Sequence, residues 1–478
     1  MSPFANLING AWVDGDSVST NRNPSNPADI IGEYSRASAA QVTQAITAAH
    51  AAWPAWAATN PVERGAILDR VGTALAAQAE RLGTLLSREE GKTLVEGRAE
   101  VMRAAQIFKF FAAETQRLTG EVVASVRPGI EIEITREPVG VIGVITPWNF
   151  PMAIPAWKIA PALAYGNCVL FKPADLVPAS AWELARLLTE AGIPAGVFNL
   201  VMGRGAVVGP TLLADARVNA ISFTGSTTTG AGIAAEAAKR FAKLQLEMGG
   251  KNPLVVLDDA DLDVAVEAAL QGSFYSTGQR CTASSRLIVT EGIHDRFVKA
   301  LAARMQSLVV GDALDPASQI GPVVDQAQLD QDIAYIGIGQ AEGARLHCGG
   351  LALDRTSGGY FLTPALFTEA HNSMRICQEE IFGPIAAVIR ARDYDEALSV
   401  ANSTAFGLSA GICTTSLKHA SHFRRHAQAG MVMVNLSTAG VDFHVPFGGR
   451  KGSSFGPREQ GRYAAEFYTS VKTSYICP

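Results

Sequence analysis

Residues 278–286 read GQRCTASSR, which places Cys281 among small and polar neighbours. A lone cysteine is more often a small buried hydrophobe, but Gln279, Arg280 and Thr282 are poor core material. The thiolate is the nucleophilic form of cysteine, and reactive cysteines lie in polar, partly exposed surroundings. Cys281 is therefore our candidate nucleophile.

Other motifs flank this stretch on both sides. Upstream are TPWNFP (146–151), FTGS (223–226) and LEMGGKNP (246–253), and downstream are EEIFGP (379–384) and PFGG (446–449). In this order they resemble the NAD(P)-dependent aldehyde dehydrogenase superfamily, from about Asn9 to Lys472. Within it, residues 157–178 and 278–286 are most similar to the α-ketoglutaric semialdehyde (2,5-dioxopentanoate) dehydrogenase branch.

The resemblance implies an α/β fold with two Rossmann-like parallel-sheet domains and a small β oligomerisation arm. The sequence itself alternates short apolar strands with helices, which favours parallel sheets covered on both faces. The predicted strands are 139–145, 168–171, 197–201, 220–223, 254–257, 287–289, 385–389, 410–413 and 431–434. By resemblance, 1–118 with 139–250 form the dinucleotide-binding domain, 251–445 the catalytic domain, and 119–138 with 464–478 the arm.

Two further patterns predict local structure. Leu68, Val71, Leu75, Leu82 and Leu85 recur at helical spacing, which predicts one face of a long amphipathic helix.

Isoleucines at 130, 132 and 134 alternate with polar residues, which predicts a strand with one wet face, and 467–476 is also strand-like. These two segments form an oligomerisation arm in the resembled family, which implies a homodimer or homotetramer. An ordinary surface hairpin is equally compatible with the spacing.

Composition limits the classes of function. At 478 residues and 48% hydrophobic content the chain should divide into two or three domains. A net charge of -5 with scattered Lys and Arg argues against a nucleic-acid partner. No apolar run reaches membrane-spanning length, and the first basic residue is Arg22, so we expect a cytoplasmic protein without a membrane partner.

The 6 cysteines form no CxxC pair, so we expect reduced thiols and no metal site. Besides Cys281 they are Cys168, Cys348, Cys377, Cys413 and Cys477, all interpreted as structural.

Three further catalytic residues follow from the resemblance. It implies that Asn149 supplies the oxyanion hole together with the backbone N–H of Cys281, and that Glu247 is the general base for water. Lys158 matches a lysine near the family's proton path. From the residues alone, Asn149 could be a turn residue and Glu247 a solvated surface carboxylate.

Residues 223–230 follow a strand and open a helix, so their backbone N–H groups can approach a pyrophosphate. They lack the GxGxxG fingerprint, and alone they are a weak signal. The resemblance implies that NAD+ or NADP+ is the cofactor. The implied cofactor contacts are Thr146, Trp148, Lys172, Asp175, Thr224, Gly225, Ser226, Glu380 and Phe382.

Two residues depart from the common family pattern. Asp175 stands where glutamate is frequent, and the shorter carboxylate leaves room for a 2′-phosphate, so the choice between NAD+ and NADP+ is open. Ser470 stands where many hydrolytic members carry a glutamate thought to relay a proton. A relay in this chain would need water or another group.

The predicted reaction is oxidation of an aldehyde to a carboxylic acid through a cysteine thioester, with 2,5-dioxopentanoate as the implied small-molecule substrate and 2-oxoglutarate as product. Arg280 is a candidate substrate contact because an arginine is compatible with an anionic substrate. Arg450 and Arg458 are compatible with one for the same reason. Each of the three arginines could equally be solvated or structural. Succinate semialdehyde, glyceraldehyde 3-phosphate and aromatic aldehydes are the rival substrates. A coenzyme A-acylating enzyme would not need Glu247, and a non-enzymatic relative should have lost some of Cys281, Asn149 and Glu247.

Overall fold

The computed structural model describes residues 3–478. The strands of the first half are β1 (Asn6–Ile8), β2 (Ala11–Val13), β3 (Ser17–Asn23), β4 (Asn26–Arg36), β5 (Glu121–Ala124), β6 (Glu131–Pro138), β7 (Val141–Ile145), β8 (Cys168–Lys172), β9 (Phe198–Leu200), β10 (Val218–Thr224) and β11 (Lys243–Glu247). Its helices are α1 (Ala39–Ala58), α2 (Pro61–Ala77), α3 (Ala79–Glu90), α4 (Leu94–Glu114), α5 (Ala153–Ala164), α6 (Pro178–Glu190), α7 (Gly205–Ala214) and α8 (Thr227–Ala238).

The second half continues with β12 (Asn252–Val256), β13 (Ser284–Thr290), β14 (Arg345–Cys348), β15 (Ala352–Leu353), β16 (Phe361–Leu362), β17 (Ala365–Thr368), β18 (Ile385–Ala391), β19 (Ser409–Cys413), β20 (Met431–Val434), β21 (Ser454–Phe455) and β22 (Thr469–Ile476). Its helices are α9 (Leu262–Ser273), α10 (Glu291–Gln306), α11 (Gln326–Ala341), α12 (Arg375–Gln378), α13 (Tyr394–Asn402), α14 (Leu417–His426) and α15 (Ala465–Tyr468).

The first large sheet has the strand order β2-β1-β9-β8-β7-β10-β11-β21. Its strands from β9 to β11 are parallel, and β21 adds an antiparallel edge. The register aligns Ile145 with Lys172 and with Phe223, and Thr224 with Glu247. Because carboxyl ends of parallel strands share one edge, the residues at these ends gather where such sheets bind ligands.

The second large sheet has the order β14-β17-β18-β13-β12-β19-β20, all parallel except β14. Strands such as β12 and β19 are buried along their whole length, because helices cover both faces. The predicted α/β class with two parallel-sheet units is confirmed. No helix among residues 3–478 is long and apolar enough to cross a membrane.

The long helix predicted from the leucine spacing is wrong in one respect. It is two helices, because Gln78 leaves helical geometry (φ -108°, ψ 15°) between α2 and α3. Leu68, Val71, Leu75 and Leu82 are nevertheless all fully buried. The apolar face is therefore continuous in space although the helix is interrupted.

The alternating segment is a strand, as predicted. β6 pairs antiparallel with both β22 and β5 in a separate small sheet, with exposed Glu131 and Glu133 alternating with half-buried Ile132 and Ile134. The two segments expected to form an arm thus pair with each other.

Candidate active site

The loop that carries Cys281 has an unusual backbone. Ser276, Thr277 and Gly278 lie in the left-handed region with φ of 51°, 55° and 67°. Such a conformation costs about 1–3 kcal/mol for a non-glycine residue and persists only when surrounding contacts hold it. Here the Ser276 N–H and hydroxyl both donate to Glu96 Oε1, at 2.7 and 2.8 Å. Helix α4 therefore fixes the approach of the chain to Cys281.

Gly278 is required for packing as well as for its positive φ. A Cβ at this position would lie 2.2 Å from the carbonyl oxygen of Gly383. The loop after Cys281 is held by Asn252, whose Nδ2 donates to the Cys281 carbonyl at 2.8 Å. Both sides of Cys281 are thus anchored to neighbouring elements.

The Cys281 thiol is half-buried and lines a cavity of about 370 Å³. Burial raises the pKa of Cys281 to about 12, and the nearby carboxylates of Glu380 and Glu247 act in the same direction. The thiol is therefore protonated at neutral pH in the protein without ligands. Its conversion to a thiolate requires a base or an added positive charge.

Asn149 is buried beside the Cys281 loop. Its Nδ2 donates to the Gln279 carbonyl at 2.9 Å, which brings the side-chain amide to the loop that carries the thiol. The backbone carbonyl of Asn149 accepts from Lys92 Nζ at 2.7 Å. Lys92 in turn pairs with Glu100 at 2.6 Å. The position of Asn149 is thus set by a buried ion pair.

Glu247 ends β11 and is buried. Burial and the neighbouring Glu459 raise the pKa of Glu247 well above its ordinary value. The Ser454 hydroxyl, which donates to Glu247 Oε2, has the opposite effect on that pKa. A carboxylate with a raised pKa is a stronger base near neutral pH, as proton removal from water requires.

Two glycines follow Glu247 closely in sequence, but they do not make the space for its carboxylate. A Cβ at Gly249 would instead collide with Glu380 Oε2. Gly448 fills that function, since its Cβ would lie 2.7 Å from Glu247 Oε1. The PFGG motif thus makes the space.

Lys158 is completely buried in α5 and forms an ion pair with Glu459. Its Nζ also donates to Ser222 Oγ at 2.9 Å. Glu459 was not found by sequence reasoning, because a glutamate in the polar stretch PREQGR, residues 457–462, gives no signal of burial. Ser470, where a relay glutamate was sought, is exposed on β22 opposite Glu137.

The expected cofactor residues gather at the carboxyl edge of the first sheet. Thr146 N–H donates to the Lys172 carbonyl at 3.2 Å, across β7 and β8. Thr224 Oγ1 is buried without a hydrogen-bond partner among the described residues. Gly225 follows, and Ser226 caps α8 by accepting from Thr229 N–H at 3.3 Å. An unpartnered hydroxyl at the end of β10, just before the N-terminus of α8, suits a phosphate-bearing ligand.

A second group lies on the loop after α12. Glu380 Oε1 accepts from Gly250 N–H at 2.9 Å, and burial raises the pKa of Glu380 to about 7. Phe382 has a φ of 66° and packs edge-on against Trp148, with ring centroids 5.4 Å apart. The Glu380 carboxylate can accept hydrogen bonds from the hydroxyls of a ribose, and the aromatic rings of Trp148 and Phe382 suit contact with a nicotinamide ring.

Lys172 is buried, and burial lowers its pKa although Asp175 acts to raise it. Asp175 itself is paired with Arg36, with Nη2 and Oδ2 2.5 Å apart. Asp175, which we expected to face a ribose, is therefore already paired with a cation. The sequence did not predict this ion pair.

Three cations line the cavity that contains Cys281: Lys92, Arg103 and Arg280. Arg280 donates to Glu96 Oε1 at 3.1 Å and to Ser276 Oγ at 2.7 Å, so its charge is matched by a carboxylate. Lys92 is matched by Glu100 at 2.6 Å and also lies 3.8 Å from Glu90, which is outside the cavity lining.

Arg103 differs, because among the described residues its hydrogen bond goes to the Val441 carbonyl and it forms no ion pair. Arg450 and Arg458 do not line this cavity; Arg450 is exposed and Arg458 donates to the Gly449 carbonyl.

The profile of the aldehyde dehydrogenase family matches residues 12–474. An alpha-ketoglutaric semialdehyde dehydrogenase of Bacillus subtilis is 44% identical over 480 residues, covering 99% of this chain and 98% of the relative. A betaine aldehyde dehydrogenase of Cereibacter sphaeroides is 43% identical over 422 residues, covering 88% of this chain and 86% of the relative.

Solved structures agree in fold. A betaine aldehyde dehydrogenase from Staphylococcus aureus in complex with NAD+ has a TM-score of 0.96 at 33% identity, covering 99% of this chain and 94% of that chain. An NADP-dependent enzyme of E. coli has a TM-score of 0.96 at 36% identity, covering 99% of this chain and 98% of that chain.

Proposed function

The chain belongs to the aldehyde dehydrogenase family and is an NAD(P)-dependent aldehyde dehydrogenase, and from this we propose that it oxidises a short anionic semialdehyde, 2,5-dioxopentanoate, to the dicarboxylate 2-oxoglutarate. The observation that carries the substrate class is the charge on the cavity wall. Of its three cations, Lys92 and Arg280 have carboxylate partners, whereas Arg103 has none among the described residues.

The residues that line the cavity thus include three cations and two carboxylates, Glu96 and Glu100. An aldehyde bound at Cys281 with its carboxylate at Arg103 would neutralise this charge, and a guanidinium is suited to bidentate contact with a carboxylate. A betaine aldehyde carries a quaternary ammonium, which the same cation would repel. The semialdehyde named for the Bacillus subtilis relative fits this wall better than the betaine aldehyde named for the Cereibacter sphaeroides relative.

Acylation begins at Cys281. Its thiol first loses its proton to solvent water, and the thiolate sulfur then attacks the aldehyde carbon. The alkoxide that forms is stabilised by the Asn149 side-chain amide and the Cys281 backbone N–H, a contribution of about 10²- to 10³-fold for one such donor. Bound NAD(P)+ supplies the electron sink by accepting a hydride. Lys172, Thr224, Ser226 and Glu380 would hold it, with Thr146, Trp148, Gly225 and Phe382 shaping its crevice.

Deacylation depends on Glu247. Its raised pKa makes it a base strong enough to take a proton from water near neutral pH, and the water attacks the thioester on Cys281. The proton can then pass toward Glu459, whose Oε2 is buried without a hydrogen-bond partner among the described residues and whose Oε1 pairs with Lys158. This pair replaces the relay sought at Ser470.

We further propose that the sheet formed by β5, β6 and β22 is an oligomerisation arm, and that the chain forms a homodimer or homotetramer. Val122 and Val126 are 85% and 101% exposed, and Val471 and Tyr475 on β22 are also exposed. Exposed apolar side chains on a sheet with open edges favour pairing with another chain. We also propose that residues 1–118 and 139–250 form the dinucleotide-binding domain, that 251–445 form the catalytic domain, and that 119–138 and 464–478 form the arm.

Substrate kinetics test the proposal. We expect kcat/KM to be highest for 2,5-dioxopentanoate, lower for succinate semialdehyde, and lowest for betaine aldehyde. Arg103→Met should lower kcat/KM for the anionic substrates by about 10- to 100-fold, the value of a charge-assisted hydrogen bond, and leave pentanal within about threefold.

Arg98→Met is the matched control, because Arg98 lies on the same helix but is 57% exposed in its side chain and pairs with Glu80. A preference for betaine aldehyde, or an equal loss with pentanal in Arg103→Met, would contradict the assigned substrate class.

A further inference from the structure

Arg36 and Asp175 form an ion pair at the edge of the cofactor crevice. Arg36 is the last residue of β4, and Asp175 follows β8 by three residues. Arg36 Nε lies 3.3 Å from Asp175 Oδ1, and Nη2 lies 2.5 Å from Oδ2. The two side chains are 22% and 31% exposed, so the pair is accessible to a ligand.

The pair leaves part of the guanidinium free. An arginine has five N–H donors, and Asp175 uses the edge formed by Nε and Nη2. Nη1 makes only a long contact of 3.4 Å with the Val18 carbonyl, which is at the outer limit of a hydrogen bond. Donors on Nη1 and Nη2 therefore remain for a second anion.

The charge balance also favours an anion. Lys172 lies close enough to Asp175 for the carboxylate to affect the lysine pKa, and it forms no ion pair of 4 Å or less within residues 3–478. Arg36 and Lys172 together carry two positive charges against one negative charge on Asp175. A carboxylate alone at this place would repel a phosphate, but this group of three attracts one.

We propose that Arg36 recognises the 2′-phosphate of NADP+, with Lys172 as its second cationic contact, and that the chain prefers NADP+ over NAD+. The inference rests on the proposed function, because it assigns the adenosine ribose to this end of the crevice. NAD+ remains a weaker ligand, since Asp175 still accepts a hydrogen bond from a 2′-hydroxyl. Arg36 thus reverses the selectivity that an isolated Asp175 would impose.

Calorimetric titration of the full-length protein tests this without turnover, using NADP+, NAD+, 2′,5′-ADP and 5′-AMP as ligands. We expect the wild type to bind 2′,5′-ADP more tightly than 5′-AMP, which differs from it only by the 2′-phosphate. Arg36→Gln should weaken NADP+ and 2′,5′-ADP by about 10-fold or more, as expected for loss of a charge-assisted contact. The affinities for NAD+ and 5′-AMP should stay within about twofold of the wild-type values.

Arg217→Gln is the matched control. Arg217 makes the same kind of pair with Asp215, with Nε–Oδ1 at 3.0 Å and Nη2–Oδ2 at 2.6 Å. Its loss should leave all four affinities unchanged. Arg36→Lys keeps the charge without the planar fork, so it should lose part of the 2′,5′-ADP affinity, and Asp175→Asn should weaken NAD+ relative to NADP+.

The outcomes are separable. Equal weakening of both dinucleotides in Arg36→Gln and Arg36→Lys would mean that the ion pair only positions the loop, and would overturn the inference. Unchanged 2′,5′-ADP binding in Arg36→Gln would do the same. A wild type that binds both dinucleotides but oxidises no anionic aldehyde would refute the proposed function alone.

Discussion

Removal of the Ser454 hydroxyl should shift the pH dependence of turnover in a direction fixed by the site. Ser454 Oγ donates to Glu247 Oε2 and thereby opposes the rise in the pKa of that carboxyl group. Ser454→Ala removes this donor, so the pKa of Glu247 rises further. A base must be deprotonated to act, and the acid limb of the pH profile should therefore move to higher pH.

The size of the shift follows from burial. Glu247 is 2% exposed, so water cannot readily replace the lost donor. A hydrogen bond to a charged group contributes about 1.5–3 kcal/mol, and about 1.4 kcal/mol corresponds to one pH unit. The limb should move up by about 1 to 2 pH units. At pH values below the acid limb, turnover should fall by about 10- to 100-fold relative to the wild type. At pH values well above the limb, it should be unchanged.

Rapid mixing separates this effect from acylation. The NAD(P)H burst reports thioester formation, and the slope after it reports hydrolysis. We expect the burst amplitude to stay near one per active site in Ser454→Ala while the slope carries the shifted profile. Glu459→Gln should move the limb the other way, because it removes the carboxylate that raises the Glu247 pKa.

Ser416→Ala removes a hydroxyl that caps α14, which packs on β19 and β20 of the second large sheet, and should leave the profile unchanged. If both Ser454→Ala and Glu459→Gln kept the wild-type limb while hydrolysis remained rate-limiting, Glu247 would not be the titrating base.

Three more predictions follow from the site. Cys281→Ala should abolish acid formation and leave NAD(P)+ affinity within about twofold by titration; NAD(P)H production by this variant would exclude Cys281 as nucleophile. Alkylation of Cys281 by iodoacetamide, followed by peptide mass spectrometry, should accelerate about 10-fold per pH unit from pH 7 to 9, because its pKa is about 12; a plateau near pH 7 would contradict a protonated thiol. Lys92→Met leaves a buried carboxylate unpaired and should lower the unfolding free energy by about 3–5 kcal/mol in chemical denaturation. Arg98→Met removes an exposed pair and should lower it by less than about 1 kcal/mol. Equal losses in the two variants would show that burial of the Lys92 pair does not affect stability.

The sequence was sufficient where the signal is local. The two series of apolar strands were predicted because buried parallel strands are short and apolar along their whole length. Cys281, Asn149 and Glu247 lie within contiguous motifs, and Lys172 and Thr224 mark strand ends. Each of these could be interpreted from its immediate neighbours.

The remainder depends on contacts between distant segments. Arg36 and Asp175 are 139 residues apart, and Lys158 and Glu459 are 301 apart. Nothing near Glu459 indicates that a strand and a helix will bury it. Arg103 is one arginine on an amphipathic helix, and only the positions of the carboxylates around it distinguish it from a surface residue.

Edge strand β21 ties the order of synthesis to the completion of the site. Ser454 and Phe455 pair with Glu247 and Leu246, so the partner of the base is made about two hundred residues after it. A nascent chain that ends before β21 leaves β11 as an open sheet edge, with unpaired N–H and C=O groups. It also lacks Glu459, so Lys158 has no counter-charge. The ribosome must therefore nearly finish the chain before the last strand of the first sheet can pair. A prematurely terminated product leaves β11 unpaired on one side and Glu247 without its hydrogen bond from Ser454.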